Sequence, residues 1–97
     1  MGKDKLRRFR ENLTFDCFVQ PEFDEVFHCD HPLKGRWRSD FFRNDNPIVL
    51  ELGCGKGEYT VALAEHDPSR NYIGIDIKGA RMWRGAKSVT ERKIANA

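Results

Sequence analysis

Three glycines alternate with other residues directly after a short apolar run, in Glu51-Leu52-Gly53-Cys54-Gly55-Lys56-Gly57-Glu58. Glycines placed there let the backbone come close to a ligand at the start of a following helix. Their spacing narrows the ligand. A phosphate loop needs Gly-x4-Gly-Lys followed by Ser or Thr; Lys56 is followed by Gly57, so that chemistry is ruled out. The dinucleotide pattern Gly-x-Gly-x-x-Gly requires a third glycine at position 58, where Glu58 would instead oppose a pyrophosphate. A further acid, Asp76, comes 25 residues after Glu51. At a strand end such a carboxylate can accept hydrogen bonds from both hydroxyls of a ribose. Its bland alternative is the cap of the next helix. Loop and acid together point to a nucleoside-containing cofactor.

These residues need elements to hold them. Ile48-Val49-Leu50-Glu51-Leu52 has the apolar density of a strand buried on both faces. Residues 58–65 read as a helix that packs through Val61, Leu63 and Ala64, and Pro68 closes that region. Asn71 to Ile77 predicts a second strand, and from Gly79 a second helix presents Met82, Trp83, Ala86 and Val89 inward. Strand, glycine loop, helix, strand, helix is the opening of a doubly wound α/β sheet. Asn44-Asp45-Asn46-Pro47 marks a turn before it. All seven phenylalanines precede that turn and every isoleucine follows it. Residues 1–46 therefore read as a basic, Phe-rich arm, broken by Pro21 and Pro32 into short helical turns and anchored by its aromatics. Residues 47–97 read as the N-terminal part of the cofactor-binding domain.

The pattern acid-x-Gly-x-Gly-x-Gly resembles the cofactor loop of Rossmann-like S-adenosylmethionine (SAM) methyltransferases. That ligand carries a sulfonium and an ammonium group and no phosphate, so carboxylates near the loop are favourable. The stretch Gly74-Ile75-Asp76-Ile77-Lys78-Gly79-Ala80-Arg81-Met82-Trp83-Arg84-Gly85, with the leader Pro47 to Glu58, is more specific. It resembles the bacterial single-chain tRNA (guanine-N7-)-methyltransferase family, and the resemblance extends over essentially the whole chain. It implies that Glu51 and Asp76 hold the cofactor, with Gly53, Gly55 and Gly57 shaping the loop. It implies methyl transfer from SAM to N7 of a guanosine in the tRNA variable loop. Guanine N7 has an exposed lone pair and no proton, so no general base is required and placement can supply much of the rate. Members of that family continue into an Asp-Pro-Trp-type catalytic segment, whereas no tryptophan follows Trp83 here. The expectation is a cofactor-binding half without catalytic residues and without activity alone. An unpaired first strand would also favour self-association.

Net charge is only +2, but it is distributed in blocks. Lys3, Lys5, Arg7, Arg8 and Arg10 crowd the first ten residues; residues 11–33 hold six acids and no Lys or Arg; Lys78, Arg81, Arg84, Lys87, Arg92 and Lys93 crowd the last twenty. Basic ends suit a polyanion or a solvated helix face equally well. Given the family resemblance, Lys5, Arg7, Arg8, Lys78, Arg81 and Arg84 are the expected tRNA contacts, and Trp83 is read as core. His28, Cys29 and His31, with Cys17 upstream, match no zinc spacing, so no metal is expected. Cys54 reads as a small inert loop residue. Three scattered cysteines and the lack of a long apolar run imply a reducing, cytoplasmic setting with no membrane contact. Two other readings stay open: a SAM methyltransferase of another substrate, and a nucleotide- or RNA-binding module without chemistry. An NAD oxidoreductase is disfavoured by Glu58.

Overall fold

A computed structural model describes residues 2–97. It is a mixed α/β structure, α1 (Gly2–Asn12), α2 (Phe23–Phe27), a wide π-helical turn (Trp37–Phe42), β1 (Ile48–Leu52), α3 (Glu58–His66), β2 (Asn71–Ile75) and α4 (Gly79–Arg92). Strands β1 and β2 pair in parallel, with Ile48 opposite Asn71 and Leu52 opposite Ile75. Parallel neighbours need a crossover, and α3 provides it. Among the described residues, no helix is long and apolar enough to cross a membrane.

The predicted strand–loop–helix–strand–helix run is present, with two differences. Strand β2 stops at Ile75 rather than Ile77, because the chain turns where the Asp76 carboxylate accepts the N–H of Lys78 at 3.0 Å. Strand β1 is not buried on both faces. Thr60 of α3 donates to Glu51 on one side of the sheet, whereas Leu50 and Leu52 alternate to the other side and are 56% and 76% exposed. Both helices of the β-α-β-α run carry the expected inner faces: Val61 and Ala64 on α3, and Trp83, Ala86 and Val89 on α4, are buried.

The N-terminal segment departs further from expectation. In place of short turns, residues 2–12 form one helix of 11 residues, and it lies against α4. The Trp83 indole N–H donates to Glu11 at 2.7 Å and the Asn12 side-chain amide donates to the Gly79 carbonyl at 3.0 Å. Phe15 completes a small core with Trp83 and Ala86, against which Cys17 and Phe18 pack. Aromatic anchoring thus holds for Phe15 and Phe18. Phe23 and Phe27 are exposed and stack on each other, with ring centroids 4.7 Å apart, and Phe27 also meets the His28 ring edge-on at 4.6 Å.

Two asparagines close the far end. Buried Asn71 donates to the Asn44 side chain at 2.8 Å, tying the turn before β1 to the start of β2. Beyond α4, the Asn96 carbonyl accepts the N–H of Tyr72 at 2.7 Å, so the chain returns along the free edge of β2. The Asn96 side chain also donates to the carbonyls of Ala64, Asp67 and Arg70.

Candidate functional site

The glycine loop hangs from the end of β2. The N–H groups of Gly53 and Cys54 both donate to the Ile75 carbonyl, at 2.7 and 3.0 Å. Gly53, Gly55 and Gly57 have φ of +72°, +58° and +76°, a left-handed region that costs other residues about 1–2 kcal/mol each. This explains the alternating glycines: every second residue reverses the chain, and Gly57 then serves as the cap of α3.

Asp76 and the loop meet directly. One Asp76 oxygen accepts the Gly55 N–H at 2.8 Å and the other accepts the Lys78 N–H at 3.0 Å. These backbone donors, Gly55 first, hold the Asp76 carboxyl below the usual carboxylate range, with a smaller contribution from Arg81. The bond to Lys78 has the form of the bland alternative, a turn cap, but the bond to Gly55 reaches 21 residues back. Glu51 lies on the sheet face covered by α3, where it accepts the Thr60 hydroxyl. Between them, Cys54 has its thiol pushed up, first by burial and then by the charges of Asp76 and Glu51, so it stays protonated and non-nucleophilic.

Two glycines outside the loop, at the ends of the Gly74–Gly85 stretch, help to set this geometry. A Cβ on Gly85 of α4 would stand 2.8 Å from the Lys56 carbonyl and 3.1 Å from the Gly57 Cα, so the helix backbone rests on the loop. A Cβ on Gly74 would stand 2.9 Å from both the Cys54 sulfur and the Thr60 hydroxyl. Gly74 stands inside a strand and Gly85 inside a helix, positions where a glycine permits close approach of a neighbour. Thr60 carries no such signal.

The expected substrate residues come together on α1 and α4. Lys5, Arg8, Lys78 and Arg81 line a cleft of about 600 Å³ with Asp4. Arg8, Arg81 and Arg84 line a neighbouring one of about 370 Å³ with Lys56, Glu58 and Trp83. Arg81 reaches back to the loop, its Nη2 being 3.7 Å from a Cβ built on Gly55. Arg7 is diverted: it faces Asp4 and Glu11, each at 3.9 Å, and lies 5.4 Å from the centre of the Trp83 ring. Trp83 is 7% exposed, in keeping with a core role, and Arg8 covers its ring at 4.6 Å. The Lys3 side chain lies outside the described residues.

The structure thus presents a parallel β-α-β unit whose glycine loop is bonded to an acid beyond the second strand. A model described as "Putative methyltransferase" matches residues 45–97, and the chain belongs to that family. Its relatives narrow this further. A tRNA (guanine-N(7)-)-methyltransferase of Christiangramia forsetii is 58% identical over 95 residues, 98% of this chain and 42% of the relative. Proteins of the same name from Bacteroides fragilis and Porphyromonas gingivalis are 46% identical over 96 residues and 65% identical over 65 residues. They cover 99% and 67% of this chain, and 38% and 27% of the relatives. The chain thus spans less than half the length of the relatives it matches. No solved structure matches it.

Proposed function

We propose that the chain is the cofactor-holding part of a SAM-dependent tRNA (guanine-N7-)-methyltransferase, its β-α-β-α run being the opening of a Rossmann-like sheet. One observation carries this reading. The Asp76 carboxylate is bonded to Gly55, and Arg81, from a cleft lined by cations, lies against the same glycine.

The residues suit that cofactor. Space above the loop is open: nothing lies within 4 Å of a Cβ built on Gly53, and only Arg81 approaches one on Gly55. Asp76 and Glu51 are acceptors for ribose hydroxyls and for positively charged groups, and each oxygen has a second lone pair beyond the bond it already makes. Asp76 and Glu51 would hold the cofactor, while Gly53, Gly55 and Gly57 keep side chains out of its way. When bound, SAM supplies an electrophilic methyl group. N7 of guanine presents its lone pair without losing a proton, so this chain contributes by binding and orienting. Lys5, Arg8, Lys78, Arg81 and Arg84, with Arg7 at the margin, would grip tRNA phosphates on α1 and α4.

Calorimetry with SAM, S-adenosylhomocysteine and NAD tests the reading. SAM and its demethylated product should bind, NAD should not, and Asp76→Ala should abolish binding. Tight NAD binding without SAM binding would overturn it. The 97-residue chain alone should not methylate tRNA, and measurable methylation by the purified chain would show that it holds more than the cofactor part.

A further inference from the structure

Lys56 lies inside the glycine loop, between Gly55 and Gly57, and is exposed. With Arg8, Arg81 and Arg84 it lines the smaller cleft, where Glu58 is the only acid. Among the described residues these four cations enter no ion pair, nor do Lys5 and Lys78 next door. Arg7, Lys34, Arg36, Arg70, Lys87 and Arg92 each face a carboxylate within 4 Å. Arg10, Arg38, Arg43 and Lys93 are likewise without an ion pair among the described residues but line neither cleft, so it is the clustering that sets the cleft cations apart. Like charges gathered around one cleft repel unless an anion joins them. Their placement is fixed by the fold. Gly85 seats α4 on the Lys56 carbonyl, which ties Lys56 to the helix carrying Arg81 and Arg84. Arg8 is held against Trp83, with its Nε buried and without an acceptor, so its outer N–H groups are the ones left to serve the cleft.

We infer that Lys56, Arg8, Arg81 and Arg84 form a seat for a backbone phosphate of RNA, contiguous through Arg8 and Arg81 with the larger cleft. The loop shaped for the cofactor then also grips the substrate strand. Lys56 is a positioning residue; it touches a phosphate and no reacting atom. This rests on the RNA reading above and adds a residue and a chemical group to it.

The test is fluorescence anisotropy of a labelled, unmodified tRNA transcript with the 97-residue chain over a KCl series. Each phosphate neutralised contributes about 0.7–0.9 to the slope of log affinity against log salt. Lys56→Ala should weaken binding about fivefold near 150 mM KCl and flatten that slope by about one contact. Lys56→Arg should restore both, and Lys34→Ala, at a lysine already paired with Asp30, should change neither. SAM affinity should be the same in Lys56→Ala and the parent chain. If the parent binds tRNA and Lys56→Ala matches its affinity and slope, the seat is wrong while the RNA reading stands. If Lys56→Ala loses SAM as well, or Lys56→Arg fails to rescue, Lys56 is a structural part of the loop and the seat is wrong again. A parent chain that binds no tRNA at 50 mM KCl overturns the RNA reading and the seat together.

Discussion

Replacing Gly85 with alanine should loosen the glycine loop. The new methyl would stand 2.8 Å from the Lys56 carbonyl oxygen and 3.1 Å from the Gly57 Cα, where ordinary contacts begin near 3.4 Å. Both neighbours are backbone, so relief requires α4 and the loop to move apart by about half an ångström rather than a side chain to swing. Overpacking of this kind costs about 1–3 kcal/mol, and alanine returns about 0.8–1 kcal/mol of helix propensity. The net expectation is a loss of about 1 kcal/mol, or about 4–8 °C in melting temperature for a chain of this size. Gly79→Ala is the control. It lies at the first position of α4, where the intruding atoms are the movable end of Gln20 at 2.6 Å and the edge of Phe9 at 3.0 Å. It should be neutral to within about 0.5 kcal/mol, since its propensity gain offsets a small displacement. Thermal melts followed by circular dichroism, with SAM titrations on the same variants, read both effects. Gly85→Ala should melt lower and bind SAM more weakly. A melting temperature several degrees above the parent's, with unchanged SAM affinity, would show that the helix has room to recede and that the contact does not set the loop.

Three other outcomes follow from the same contacts. Because the Gly55 and Lys78 N–H groups hold Asp76 below the usual range, its contribution is present in full above the unfolded carboxylate value. It is lost only as pH falls below about 4, through the depressed value. SAM affinity should be flat between pH 5 and 8 in calorimetry, and a midpoint near pH 6 would contradict it. Trp83→Phe removes the N–H that donates to the Glu11 carboxylate, the main bond between the end of α1 and α4. Hydrogen exchange should then quicken throughout α1, and unchanged protection there would show that α1 is held some other way. The uncovered sheet side carries Leu50, Leu52 and Ile75, with Ile77 beyond it at 95% exposure. Leu52→Lys with Ile77→Lys should reduce concentration-dependent association in sedimentation, while a monomeric parent chain would remove the premise.

The part of the site nearest the sheet was legible because it depends on short-range grammar. Alternating glycines after an apolar run, and an acid after the next one, specify a loop and its partner through local backbone geometry. The structure adds only that Asp76 bonds to Gly55 rather than merely lying near it. What was hidden depends on contacts between distant residues. Thr60 is one of several polar residues in its helix until the parallel register sets Glu51 beside Gly74. The burial of β1 was overestimated because an apolar run records what a strand is suited to pack against, whereas α3 here covers one of its faces. The helix at the N-terminus was obscured because its many charges equally suit a solvated arm, and its docking relies on a few residues at its far end.

Those few residues explain why two basic segments, far apart in sequence, lie together without driving each other away. Helices α1 and α4 both carry cations at their interface, and Glu11 is the acid between them. It accepts the Trp83 N–H at 2.7 Å and faces Lys87 at 3.6 Å and Arg7 at 3.9 Å. Trp83 contributes a second, softer offset through its ring, over which Arg7, Arg8 and Lys87 all lie within 5.4 Å. Held chiefly by the Trp83 N–H, with help from Lys87 and Arg7, the Glu11 carboxyl titrates below the usual range and keeps its charge at neutral pH. Glu11 neutralises the cations on its own side of the indole, and on the loop side Lys5, Lys56, Lys78, Arg81 and Arg84 form no ion pair within 4 Å among the described residues, with Arg8 bridging the two. Near-neutral net charge thus conceals a local arrangement, with Glu51 and Asp76 at the ends of β1 and β2 and a group of cations where α1 meets α4. Arg81 against Gly55 is the point at which the two fields touch.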